Sequence, residues 1–143
     1  MTIKAKKSNS QRFVPFRSND RWYAVAIEAV EGVVATPEVI VIPGNASRVL
    51  VGLAYASGQL LTVLDIAPLD NHTRNHQAPQ LLIIKVATDY YAVLADEVAP
   101  IIAPSQAPAT VRHPLLAAQV HDAQRTIGII DCQRLVTQHA ICK

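Results

Sequence analysis

Few side chains in this sequence are spaced for chemistry. His72 and His76 stand four residues apart in HTRNH, a spacing that lets two imidazoles on one helical face share a metal ion. Asp70 is the single nearby candidate for a third ligand. With no Cys or further His close by, the stretch reads as an exposed polar connection rather than a metal site. Asp65, Asp96 and Asp131 offer carboxylates for acid–base work. Two of them, Asp65 and Asp131, lie at strand ends, however, where a carboxylate caps a turn or accepts from backbone amides. His113 beside Pro114 and His121 beside Asp122 suit hydrogen-bonded or solvated roles better than that of a general base. Cys132 and Cys142 form neither a CxxC pair nor a disulfide framework. Cys132 reads as a small buried hydrophobe, and a reducing cytoplasm is its natural setting. No GxSxG, HExxH, P-loop or dinucleotide fingerprint is present.

The organisation of the chain is more informative. Residues 12–34 align without gaps on residues 80–102, at an offset of 68. Tyr23-Ala24-Val25 falls on Tyr91-Ala92-Val93, Glu28 on Asp96, Val30 on Val98 and Val33-Val34 on Ile101-Ile102. Residues 58–69 align on 124–135 at an offset of 66, which places Asp65 on Asp131 and Leu69 on Leu135. A unit of this length is too long for a solenoid repeat and fits one small β-barrel. The halves run from about 12–70 and 80–136, after a polar tail at 1–11.

Half of the 143 residues are apolar and 17% are charged, enough for a continuous core and too few charges for disorder. The net charge of +2 reflects Lys4, Lys6 and Lys7; without them the body is near neutral, and it carries only seven aromatics. That composition argues against a nucleic-acid surface, which needs basic residues interleaved with stacking rings. The lysines precede no apolar stretch of the kind found in a secretory signal, and the longest apolar run, Val49 to Ala56, is too short to span a bilayer.

Strands are expected at 12–17 and 22–27, joined by Ser18-Asn19-Asp20, with a short helical turn or an extended continuation at 28–34. Pro37 and Pro43 bracket a strand at 39–42, before a Pro43-Gly44-Asn45 turn. The clearest hairpin joins 48–56 to 59–66 through Ser57-Gly58. After the polar connection 67–79 the plan repeats, with strands near 80–87, 90–95 and 97–102. A loop broken by Pro104, Pro108 and Pro114 follows, then a second hairpin at 115–121 and 125–130. Asp131 is placed to cap a short terminal helix through Val136. Tyr23 belongs to the core, and Trp22 is either a lid on it or an exposed anchor. Many short strands with little helix imply an all-β fold of barrels.

Over residues 12–136 the chain resembles the CheW family of chemosensory adaptors. The segment IPGNASRVLVGLAYASGQLLTVLDI, with Gly52, Gly58 and Leu64-Asp65-Ile66, is similar to that family's central hairpin. VLADEV, with Asp96 and Val98, resembles its Val-Asp-x-Val signature, and IGIIDCQRL its closing strand and helix. The resemblance implies two intertwined five-stranded SH3-like β-barrel subdomains and a short C-terminal helix. It implies no catalysis and no cofactor. It further implies an adaptor that binds the regulatory domain of a CheA-type histidine kinase and the cytoplasmic tip of a chemoreceptor. A monomer when free is the default expectation.

The resemblance also points to partner-binding positions: Val30, Gly32, Val33, Leu53, Tyr55, Ser57, Gly58 and Val98. The family's hairpin corner usually reads Asn-Leu-Arg-Gly, whereas this chain has Tyr55-Ala56-Ser57-Gly58. A Glu common in the first apolar segment is Gly32 here, and a Gly common in the second hairpin is Ala118. Losing the guanidinium removes a bidentate partner for receptor carboxylates. A divergent adaptor, for instance of a type IV pilus (twitching) system, is therefore a further expectation. A nucleic-acid-binding barrel and a ligand site between the barrels are the competing readings.

Overall fold

The computed structural model describes residues 11–41, 48–70, 78–105, 107–122 and 125–140. Most of the polar tail, the Pro43-Gly44-Asn45 turn, the HTRNH stretch and Cys142 lie outside them. Strands β1 (Phe13–Ser18) and β2 (Arg21–Ala26) form a hairpin, and a 3-10 turn at Ile27–Ala29 leads into β3 (Val30–Ala35). The sequence left 28–34 open between turn and strand, and the chain uses both in succession. Then come β4 (Ile40–Val41), β5 (Leu50–Ala56), β6 (Gln59–Leu64) and a 3-10 turn at Ala67–Asp70. The second half supplies β7 (Gln80–Val86), β8 (Asp89–Ala95), β9 (Glu97–Val98), β10 (Ala109–Thr110), β11 (Leu116–Asp122) and β12 (Arg125–Ile130). Helix α1 (Cys132–Leu135) continues into a π-helical turn at Val136–Ala140.

The strands form two six-stranded sheets, one ordered β10-β11-β12-β2-β1-β9 and the other β3-β7-β8-β6-β5-β4. Each sheet mixes the two halves: β1 and β2 join the last four strands, whereas β7 and β8 join the strands β3 to β6. The exchange rests on two parallel pairings. Gly128 and Ile129 of β12 lie beside Tyr23 and Ala24 of β2, and Thr62 and Val63 of β6 lie beside Tyr91 and Ala92 of β8. These are the residues that the 68- and 66-residue offsets equate, so the repeat is structural down to its register. This is the architecture of two intertwined SH3-like subdomains, and the two-residue strands β4, β9 and β10 all sit at sheet edges.

Three apolar clusters hold it together. Phe13, Ala24, Val120, Ile127 and Ile129 fill the first barrel. Ala54, Leu61, Val63, Leu81, Ile83, Ala92 and Leu94 fill the second. The largest cluster joins them and includes Phe16, Val25, Leu64, Ile66, Leu82, Ile84 and Leu135, all with no exposed surface. Each such side chain contributes roughly 1.5–3 kcal/mol of burial. Each sheet draws strands from both halves, and the shared cluster packs residues of both against one another. Tyr23 belongs to this cluster.

Turn chemistry follows the residues. Ser57 and Gly58 both have positive φ, 53° and 75°, the left-handed pair that a two-residue hairpin needs. Asn19 turns the β1–β2 hairpin at φ 56°, and Ala87, 68 residues on, turns β7–β8 at φ 59°. Asn accepts that conformation readily and Ala does not. Asp131 caps α1, its Oδ1 accepting from the Arg134 amide at 3.0 Å. Two expectations need adjustment. The strand at 97–102 shrinks to Glu97–Val98 plus an isolated Phe13–Ile102 bridge, because Pro100 interrupts the ladder. Conversely, the Pro-rich loop holds β10, which fits between Pro108 and Pro114 at an edge where a missing N–H does no harm.

Candidate functional site

The three carboxylates singled out in the sequence each accept from a backbone amide. Asp65 Oδ1 accepts from the Ala67 amide at 3.1 Å, Asp131 Oδ1 from Arg134, and Asp96 Oδ2 from the Asn19 amide at 2.7 Å. The amides of Asp65 and Asp131 donate to Val49 and Leu115, which are again repeat equivalents. His113 Nδ1 accepts from the amides of Leu115 and Leu116. His121 Nδ1 shares a hydrogen bond with the Thr126 hydroxyl. The Cys132 thiol is pushed up to about 11, first by burial and then by the Asp131 charge. Burial, aided by Asp89, raises the Tyr91 phenol, and burial lowers His139. Among the described residues no group of three His, Cys, Asp or Glu side chains could hold a metal, and no helix is long and apolar enough to cross a membrane. The His72–His76 pair lies outside the described residues.

What the second sheet does present is apolar surface. Tyr55 pairs directly with Leu60 across the hairpin, and Leu53 pairs with Thr62 on one side and Ile40 on the other. Directly paired residues share a face, as do residues two apart on one strand. Ile40, Leu53, Tyr55, Leu60 and Thr62 therefore point the same way, and none carries a charge. Tyr55 is 68% exposed, Ile40 66% and Leu60 64%, although the same face of β6 is fully buried two turns of the pleat further on, at Leu64. Ile40, Tyr55 and Leu60 thus expose apolar side chains side by side, the kind of surface from which contact sites are built. Gly52 lies under it on the other face, where a Cβ would fall onto the Ile40 carbonyl, so the edge strand β4 can close on β5 only because this residue is glycine.

The eight expected partner-binding residues do not form one site. Leu53 and Tyr55 lie on the exposed face, and Ser57 and Gly58 form the hairpin tip beside it. Val30, Gly32 and Val33 belong to β3 at the opposite edge of the same sheet, with three strands between them and β5. Val98 is on β9 at the edge of the other sheet, paired with Phe16. Val30 and Val98 are half-buried against the central cluster, whereas Val33 is 39% exposed. The sequence reading missed Ile40 and Leu60. Leu60 was within reach: a two-residue turn at 57–58 forces Ala56 to pair with Gln59 and Tyr55 with Leu60. Ile40 was not, because its place depends on a two-residue edge strand.

Comparison with known proteins follows the fold. The model of the CheW-like domain matches residues 12–140. No curated protein sequence matches the chain. Among solved structures, the chain is similar to the crystal structure of the scaffolding protein TtCheW from Thermoanaerobacter tengcongensis, with a TM-score of 0.70 at 17% identity, covering 85% of this chain and 89% of that one.

Proposed function

From the premise that the chain belongs to the CheW-like domain family, we propose that it is a non-enzymatic adaptor of bacterial chemosensory signalling. It couples chemoreceptors to a CheA-type histidine kinase by binding the kinase's regulatory domain and the receptor's cytoplasmic tip. The observation that carries this reading is the uncharged, exposed face of Ile40, Leu53, Tyr55 and Leu60. Side chains of these types gain free energy when a partner covers them. The backbone duties of Asp65, Asp96 and Asp131 fit a scaffold that performs no reaction. Val30, Gly32, Val33 and Val98 form a second contact region along the edges of the two sheets. In this reading the adaptor is a cytoplasmic monomer when free and is recruited to receptor arrays. Its repeat halves, 12–70 and 80–136, are one intertwined domain.

The corner Tyr55-Ala56-Ser57-Gly58 favours a second form of the same reading, an adaptor of a pilus-type pathway with altered receptor binding. A phenol there adds apolar area and removes the charged fork. A pull-down from soluble and membrane extracts, with the chain and its Tyr55→Asn/Ser57→Arg variant as parallel baits, tests both. Recovery of a CheA-type kinase by the chain supports the adaptor. A receptor recovered only by the variant supports the altered pathway. Recovery of neither protein by either bait refutes the adaptor reading.

A further inference from the structure

The internal repeat provides a comparison within one molecule. The face that is apolar and exposed in the second sheet has an equivalent in the first, built on β2, β11 and β12. Equivalent registers match: Gln119 pairs with Gly128 as Leu53 pairs with Thr62, and His121 with Thr126 as Tyr55 with Leu60. The chemistry has been exchanged at nearly every position. Leu53, Tyr55 and Leu60 of the apolar face become Gln119, His121 and Thr126, and the flanking Gln59 and Asp89 become Arg125 and Arg21. Thr62, which fills the floor of one face, is replaced by Gly128 in the other. There the Leu116 methyl groups lie over the glycine, the nearest 2.8 Å from where a Cβ would stand, and supply an apolar floor in place of the threonine side chain. The result is an open concavity of about 650 Å³ walled by Arg21, Trp22, His113, Gln119 and Arg125.

Its walls are rich in donors. The Arg125 guanidinium lies 4.1 Å over the Trp22 ring, and one of its nitrogens donates to Asp122 at 3.1 Å. Stacking and the ion pair together hold the cation in place, so little rotamer freedom remains to be lost when an anion binds. His113 Nδ1 already accepts two amides, which puts the ring proton on Nε2 as a donor. Gln119 and Arg21 add further N–H groups. Against these stands Asp20 at the rim, and Asp122 is engaged by Arg125. The floor of Leu116 and Tyr23 is largely apolar.

We propose that this concavity binds a partner's peptide segment through a glutamate side chain, with the carboxylate on Arg125 and Arg21 and the methylene stem on the apolar floor. A planar fork suits a carboxylate, and the volume accommodates a few residues rather than a lone ion. This goes beyond the adaptor reading and stands or falls separately, since none of these residues belongs to the apolar face.

The test uses the full chain and a fluorescein-labelled, end-blocked hexaglutamate, followed by anisotropy, with end-blocked hexaglutamine and citrate as competitors. Trp22 is the only tryptophan, so its emission reports the same event. Saturable binding that neither competitor displaces is expected. Arg125→Gln and Gly128→Thr, each installing the residue of the other repeat, should weaken it about tenfold or more. A melting curve for each variant confirms that it folds. If Gly128→Thr unfolds, the half-exposed Arg125 decides alone, with Arg125→Lys retaining part of the affinity. No saturable binding at millimolar peptide, or undiminished binding in folded Arg125→Gln, overturns the proposal. Citrate binding as tightly as the peptide overturns the peptide source.

Discussion

Truncating Tyr55 and Leu60 to alanine separates binding from folding in this chain. Full burial of such a side chain is worth roughly 1.5–3 kcal/mol. Tyr55 and Leu60 are 68% and 64% exposed, so a partner that covers them recovers about two-thirds of that, ~1–2 kcal/mol each. Each single substitution should therefore weaken partner binding about 5- to 30-fold. The residues are direct cross-strand neighbours, so the double variant should depart from additivity. Folding should hardly change, because the exposed halves contribute nothing to the free protein beyond a cross-strand pair of about 0.2–1 kcal/mol. Leu64→Ala is the contrast. Leu64 lies on the same strand and face but has no exposed surface, and its truncation should cost about 2–5 kcal/mol of stability. Titration calorimetry against a CheA-type regulatory domain and against a receptor-tip fragment measures the first effect, and urea melts the second. Because Ile40, Leu53, Tyr55 and Leu60 carry no charge, the affinity they contribute should vary little with salt. If Tyr55→Ala and Leu60→Ala bind both partners as tightly as the parent chain, the apolar face is not the docking surface. If they unfold as readily as Leu64→Ala, the exposure argument is wrong.

Other consequences concern the scaffold. Gly52→Ala drives a Cβ into the Ile40 carbonyl, so it should cost about 1–3 kcal/mol in a urea melt and release β4. Ala118, its repeat equivalent, tolerates the same methyl opposite Thr110. Ala87→Asn installs the residue that the first repeat uses at the same positive φ and should raise stability by about 0.5–1 kcal/mol, read as a higher melting midpoint. The Cys132 thiol is pushed up to about 11 from an ordinary 9.0. The unfolded chain therefore loses that proton first as pH rises. Its contribution is complete below about pH 9 and is lost through pH 11, about 3 kcal/mol in all. In a Cys142→Ser background, iodoacetamide should label Cys132 slowly at pH 8 and readily only near pH 11; fast labelling at pH 8 in the folded protein would contradict the burial argument.

The repeat was legible because its markers are small and local. The Tyr-Ala-Val triplets and the paired aspartates sit at strand positions where both halves face the same geometric demand, and the parallel pairings confirm that alignment residue by residue. Hairpins declared themselves through Ser57-Gly58 and Asn19. The exchange of strands between halves was not legible from the pattern alone, because β2 reads the same whether it lies beside β12 or β6. Only the long-range parallel pairing distinguishes the two, and periodicity carries no information about it. The candidate site suffered from the same gap. Apolar character marked Val30 and Val98, which turn out to pack against the central cluster, as readily as Tyr55, which does not. Exposure is a property of which strand lies alongside, so residue type could nominate these positions but not sort them.

The repeat also separates what the fold requires from what this protein has been free to change. Interior positions keep their character in both halves: Leu64 and Ile130, Val63 and Ile129, Ala92 and Ala24 are all buried. The capping aspartates keep their bonds to backbone amides. On the outward faces the halves have moved apart, toward Tyr55 and Leu60 on one barrel and His121 and Thr126 on the other. Packing accounts for none of that divergence, since the side chains concerned are largely exposed and their strands pair in the same register. A molecule with two identical apolar faces would offer the same surface twice and would invite head-to-head association of copies. Two faces of different chemistry allow two different partners to be held at once without competing. In the adaptor proposed above, that difference would let one protein be coupled to another, and it arises from substitution at a few paired positions on an otherwise duplicated frame.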